Sequence, residues 1–194
     1  MPEAIIAKPR IAVIGLGSMG FGMATSLRRA GFDVTGCDVS AEAVARFAAD
    51  GGNGARTPAE AAKAADIVVS VVVNAAQTET ILFGANGVAE TLAKDAVFVS
   101  SATMDPDVAR RLAKQLEATG RHYLDAPISG GAQRAAQGEL TILASGSPAA
   151  FARARPALEQ RAAEPADFLA YPGFGHIGVP VFSFLSCFGS AAKP

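Results

Sequence analysis

The stretch Arg10-Ile11-Ala12-Val13-Ile14-Gly15-Leu16-Gly17-Ser18-Met19-Gly20 decides the fold. Its first half is a short apolar run rich in β-branched residues and closed by glycine, the pattern of a buried parallel strand ending in a turn. The period then changes. Met19, Met23 and Leu27 recur every four residues, Arg28 and Arg29 follow, and Gly31 supplies a stop, so a helix with one buried face begins at Ser18. Strand, glycine turn and helix make the first half of a βαβ unit.

In that context the G-x-G-x-x-G spacing has a physical meaning. Gly15 lets the chain turn sharply, Gly17 presents no side chain to a phosphate, and Gly20 lets helix and strand pack closely. The helix N-terminus adds partial positive charge. Residues 33–37 read as a second strand ending at Asp38, 18 residues after Gly20. A carboxylate there accepts hydrogen bonds from adenosine ribose hydroxyls and repels a 2′-phosphate. Val39 and Ser40 follow it rather than an arginine, and Arg46 lies too far along the next helix. The expected cofactor is therefore NAD, with NADP disfavoured. An ordinary glycine turn beside a surface Asp would leave the agreement of strand, glycines, helix and distal acid unexplained.

Working outward, Ser40 is a candidate N-cap for a helix over residues 41–49, before a loop at residues 51–54. Thr57-Pro58 opens a third helix, and residues 67–73 form an apolar strand. A helix over 77–83, a strand over 96–100, a helix from Asp105-Pro106 to about 119, strands over 122–125 and 140–144 and a helix over 149–159 complete the alternation. The expected fold is α/β, a Rossmann-type doubly wound, mainly parallel sheet with helices on both faces, occupying residues 1–160. The texture changes beyond it, where five of the eleven Phe and five of the eleven Pro follow Arg155. Residues 161–194 are expected to be an irregular C-terminal tail.

Composition narrows the partners. Half the residues are hydrophobic, 18% are charged and the mean hydropathy is +0.27, which suits a sheet buried on both faces. The net charge of −1 gives no broad attraction to nucleic acid or anionic lipid. Cys37 and Cys187 are too few for a disulfide framework, the first ten residues lack the apolar core of a signal peptide, and residues 177–188 are too short to span a bilayer. A cytoplasmic location without membrane contact is expected. His122 and His176 have no clustered ligands, so no metal is expected. Phe182, Phe184 and Phe188 read as a small core patch, a partner surface or an aggregation-prone segment, and an open face there would favour self-association.

A second constellation, Asp125-Ala126-Pro127-Ile128-Ser129-Gly130-Gly131, follows a strand and precedes a helix. Its bare N–H groups suit a carboxylate, while a helix cap by Ser129 accounts for the loop equally well. Together with Gly15 to Gly20, with Ser101-Ala102-Thr103-Met104-Asp105-Pro106 and with the run from Gly138 to Leu143, it gives the chain a resemblance to the β-hydroxyacid dehydrogenases. That family includes 3-hydroxyisobutyrate, tartronate-semialdehyde and L-threonate dehydrogenases. The likeness covers residues 10 to 160, and Val72-Val73-Asn74-Ala75-Ala76-Gln77-Thr78 looks most like the L-threonate branch.

The resemblance implies NAD-dependent oxidation of a small 3-hydroxy acid by hydride transfer to nicotinamide. It implies that Ser129, Gly130 and Gly131 hold the acid, and that Gly15, Leu16, Gly17, Ser18, Met19, Gly20, Asp38, Val73, Asn74 and Thr103 meet the cofactor. The family's acid/base is a lysine in a Gly-x-Gly-x-x-x-Lys-x-x-x-Asn pattern. Here Gly173-Phe174-Gly175 leads to Val179 and Ser183 at the lysine and asparagine positions. Valine cannot carry a proton, and no other lysine of the chain is a convincing substitute. The family's helical C-terminal domain has no counterpart in 194 residues. A truncated member, binding cofactor without turnover, is the alternative expectation.

Overall fold

The computed structural model describes residues 8–158 and the backbones of two further strands, Leu169–Tyr171 and Val181–Phe184. The glycine turn sits where the sheet changes direction. Strand β1 (Ile11–Ile14) lies between β2 (Val34–Cys37) and β4 (Ile67–Ser70), and the chain winds outward from it on both sides. To one side β2 carries the short β3 (Asn53–Ala55). To the other, β4 carries β5 (Val97–Ser100) and β6 (His122–Asp125), every pair from β3 to β6 being parallel. Strand β8 (Thr141–Gly146) then runs antiparallel to β6.

Helices cover both faces because the central strands β1, β4 and β5 are buried along their whole length. One face packs against α1 (Ser18–Arg29), α2 (Ala41–Ala49) and α7 (Pro148–Leu158) through Leu27, Phe47 and Phe151. The other packs against α3 (Pro58–Ala62), α4 (Ala75–Phe83) and α5 (Pro106–Glu117) through Leu82, Leu112 and Leu116. Phe47 is wholly buried, meets Phe21 edge-on at 6.0 Å, and fills the space above Gly36 and Gly52, where a Cβ would come within 2.7 and 2.2 Å of its ring.

The doubly wound arrangement agrees with the sequence reading, with four local differences. Residues 53 and 54, expected as loop, belong with Ala55 to β3. Asn-Gly-Ala has no strand propensity, and the segment is held as an edge by β2 alone. Strand β4 ends at Ser70 rather than 73, because Val71 and its neighbours turn out over the Gly15 turn. Ile128–Ser129, expected as loop, is a two-residue strand, β7, on β8. The C-terminal residues, expected to be irregular, contribute β9 (Leu169–Tyr171) and β10 (Val181–Phe184), the latter antiparallel to β8 and β9. Val and Phe suit strands, and without β10 the edge of β8 would be left unpaired there.

Phe47→Ala should empty the space between Gly36 and Gly52 and cost about 3–5 kcal/mol. Urea unfolding reads that loss. A cost under about 1 kcal/mol would mean that this face of the sheet does not depend on the ring.

Candidate functional site

The glycine turn is built by three different constraints. Gly15 has φ +98°, and a Cβ on it would stand 2.3 Å from the Val71 carbonyl oxygen. A Cβ on Gly20 would stand 1.8 Å from the Gly15 carbonyl oxygen. Both glycines are therefore required by the close approach of chain to chain. Gly17 differs. It is exposed at φ −66°, and nothing lies within 4 Å of its missing Cβ, so the fold does not demand glycine there. An open space beside a residue without a side chain, at the start of a helix, is what a dinucleotide pyrophosphate requires.

The start of α1 is left available. Gly17 is its N-cap and supplies no side-chain cap, and no acidic residue occupies the first turn, while Arg28 and Arg29 complement the other end. Ser18 is exposed and Met19 partly exposed over the turn. Leu16 is 1% exposed, so its side chain belongs to the core and only its backbone faces the site. That backbone N–H donates to Asp38 Oδ2 at 2.6 Å, and the Ser40 N–H donates to Asp38 Oδ1 at 2.8 Å. Asp38 is thereby fixed against the glycine turn with part of its acceptor capacity unspent. The neighbouring Cys37 is buried, and burial, then the charges of Asp38 and Glu60, push its thiol up to about 11. It remains a thiol at neutral pH. Arg46 lies over the Phe21 ring at 4.1 Å.

The remaining candidates gather on the same edge of the sheet, beyond the C-terminal ends of β4, β5 and β6. Val73 is fully open to solvent. Asn74 caps α4, its Oδ1 accepting the Gln77 N–H at 3.0 Å. Thr103 is exposed just after β5. Ser129 does not cap α6 (Gly131–Gln137), whose N-cap is Gly130. Gly130 and Gly131 take φ of +137° and +79° and are exposed together with Ser129. Val179 lies outside the described residues.

Two features escaped the sequence reading. Val39, next to Asp38, is fully exposed, and an apolar residue between Asp38 and Ser40 was its signal. The second is a buried polar row. Ser70, Ser100, Asp125 and Ser145 are partners in register across β4, β5, β6 and β8, all at most 3% exposed, and none of their side-chain oxygens has a hydrogen-bond partner. Burial pushes the Asp125 carboxyl from 3.8 up to about 7. The polar residue that closes each of the strands β4, β5 and β6 was the signal here.

A folded-state value above the unfolded one makes Asp125 a pH-dependent cost. Below 3.8 both states are protonated and the cost vanishes; stability then falls as pH rises, and the full penalty, on the order of 4 kcal/mol, is present above about 7. Asp125→Asn should therefore gain on the wild-type chain in urea midpoint steadily from pH 4 to pH 8. Parallel stability curves would contradict the assignment.

Among the described residues no helix is long and apolar enough to cross a membrane, and no three metal-binding side chains cluster. The sequence profile described as the NAD binding domain of 6-phosphogluconate dehydrogenase matches residues 10–175. The chain is 49% identical over 148 residues to the L-threonate dehydrogenase of Cupriavidus necator, covering 76% of this chain and 50% of that one. It is 34% identical over 157 residues to the mitochondrial 3-hydroxyisobutyrate dehydrogenase of Mus musculus, covering 81% and 47%. The crystal structure of 3-hydroxyisobutyrate dehydrogenase from Salmonella typhimurium superposes with a TM-score of 0.75 at 42% identity, over 78% of this chain and 53% of that one. The chain thus spans about half the length of the curated relatives it matches.

Proposed function

The chain belongs to the family of the NAD binding domain of 6-phosphogluconate dehydrogenase, and from that premise we propose that it is the cofactor-holding part of an NAD-dependent dehydrogenase acting on a small 3-hydroxy acid. Residues 1–160 form the dinucleotide domain in this reading. The observation that carries it is the contrast among the glycines: Gly15 and Gly20 are demanded by the fold, whereas Gly17 faces open space beside an uncapped helix.

Each residue then has a defined task. The Gly17 and α1 N–H groups take the pyrophosphate, and Asp38 takes the adenosine ribose through its remaining acceptor sites. Val39 and Val73 offer apolar contact at the same rim, and Thr103 stands toward the nicotinamide end. Asp38 favours NAD over NADP because its charge would oppose a 2′-phosphate, and Arg46, held over Phe21, does not offset it. Ser129, Gly130 and Gly131 receive the acid's carboxylate. The bound nicotinamide supplies the hydride acceptor. L-Threonate and 3-hydroxyisobutyrate, named for the relatives above, are the two acids to test. A cytoplasmic setting, with self-association through the C-terminal residues, belongs to the same reading.

A second reading is a dinucleotide-binding module without turnover. Val179 at the expected lysine position favours it, since a general acid/base is worth about 10²–10⁴-fold in rate. Formation of NADH on addition of either acid separates the two readings.

Calorimetric titration of the chain should show saturable binding that prefers NAD⁺ to NADP⁺. Asp38→Asn should narrow that preference by about tenfold, equivalent to about 1.4 kcal/mol. Binding of neither nucleotide would overturn the proposal.

A further inference from the structure

The buried row beneath the candidate site has no task in the function proposed above. Ser70, Ser100, Asp125 and Ser145 stand side by side on four adjacent strands, so their side chains share one face of the sheet, spaced by about 4.8 Å. Tyr123, two residues before Asp125, shares that face, and its hydroxyl is also buried without a partner. Five polar side chains thus meet out of water; the Tyr123 and Ser100 hydroxyls are close enough to affect each other, but none of the five makes a hydrogen bond of good geometry to another group in the fold. Native proteins leave few such groups, and a contiguous set calls for an explanation in function.

Asp125 is where the row meets the Ser129-Gly130-Gly131 loop. The Ala126 N–H donates to the Ser100 carbonyl at 2.7 Å, the Leu143 N–H donates to the Pro127 carbonyl at 3.0 Å, and Ile128 pairs with Ile142. Three residues, tied at each step to β5 or β8, connect the carboxyl to the loop. We propose that Asp125 is a positioning residue for that loop, working in its uncharged form: a neutral acid carries one O–H, which a small local adjustment can offer to one of the neighbouring Ser100, Ser145 and Tyr123 hydroxyls, and it leaves no negative charge beneath the loop. Ionised, it can only accept, and it sets an anion under the place where a hydroxy-acid carboxylate would bind. The inference about substrate rests on the hydroxy-acid reading; the positioning of the loop does not.

Nothing else facing Asp125 among the described residues takes over that role. Strands β5 and β8 present Ser100 and Ser145. Helix α5 turns Ala109, Leu112, Ala113 and Leu116 inward, while Asp107, Arg110, Arg111, Lys114 and Glu117 are exposed, as is Asp105 at its cap. Helix α7, with Arg153 and Arg155, packs on the opposite face of the sheet, where His122 also lies, paired to Asp95 at the far end of β6. Among the described residues Tyr123 is the nearest other ionisable group on the same face, and burial pushes its hydroxyl far up, so it stays neutral; Cys37, on that face too but with three strands between β2 and β6, stays a thiol. The carboxyl's own burial moves its titration toward neutrality, into the range where a change of charge would be felt.

The test follows the backbone amide resonances of Gly130 and Gly131 in the full chain from pH 5.5 to 8.5. Wild type should show a common step near neutrality, and Asp125→Asn should show none. No step in wild type, or the same step in Asp125→Asn, would overturn the proposal. The NAD⁺-loaded chain is then titrated with L-threonate at pH 6 and 8.5. Wild type should lose at least tenfold in affinity at the higher pH, Asp125→Asn should hold the same affinity at both, and Asp125→Leu, which cannot donate, should bind weakly at both. Binding independent of pH in wild type would overturn the effect on the substrate. An amide step without L-threonate binding at either pH would leave the positioning role standing and count against the hydroxy-acid reading.

Discussion

Everything in this fold is arranged around the contact between the glycine turn and the segment leaving β4. Val71 donates its N–H to the Ile14 carbonyl at 2.8 Å, and its own carbonyl lies where any side chain at position 15 would have to go. Gly20 closes the same knot from the helix side. Because the two sheet halves diverge at this point, α1 starts in the cleft between them and points its free N–H groups outward. The sheet order, the uncapped helix and the placing of Asp38 all follow from how closely two backbones approach.

Polar chemistry is distributed unevenly along the edge beyond that knot. On the β1–β2 side it is carried by backbone N–H groups and by a carboxylate already fixed by two of them. On the β4–β8 side it lies beneath the surface, as hydroxyls and a carboxyl without partners. Burying such groups works against stability. Their position under the loops, rather than in the middle of the core, ties that cost to the site.

The sequence was most informative where one local rule acts alone. The glycine spacing, the Ser40 cap, the helix start at Thr57-Pro58 and the apolar strands all describe short-range constraints, and they stand where expected, except that β4 ends three residues early. It was least informative where tertiary partners override composition. Asn53-Gly54-Ala55 becomes a strand because β2 offers an edge, not because those residues favour one. Asn74 caps α4, a role that its place in the sequence did not single out. The row from Ser70 to Ser145 was invisible as a row, since its members are far apart in sequence and meet only through strand register.

The central claim is that Gly17 is glycine for a ligand and not for the fold. Its φ of −66° suits any residue, its missing Cβ meets nothing, and threonine ranks with glycine as an N-cap. The direct measurement is therefore the NAD⁺ affinity of Gly17→Thr beside its melting temperature. The account expects a Tm within about 2 °C of wild type and an affinity reduced by at least about tenfold. Unchanged affinity, or a collapse of the fold, would contradict it.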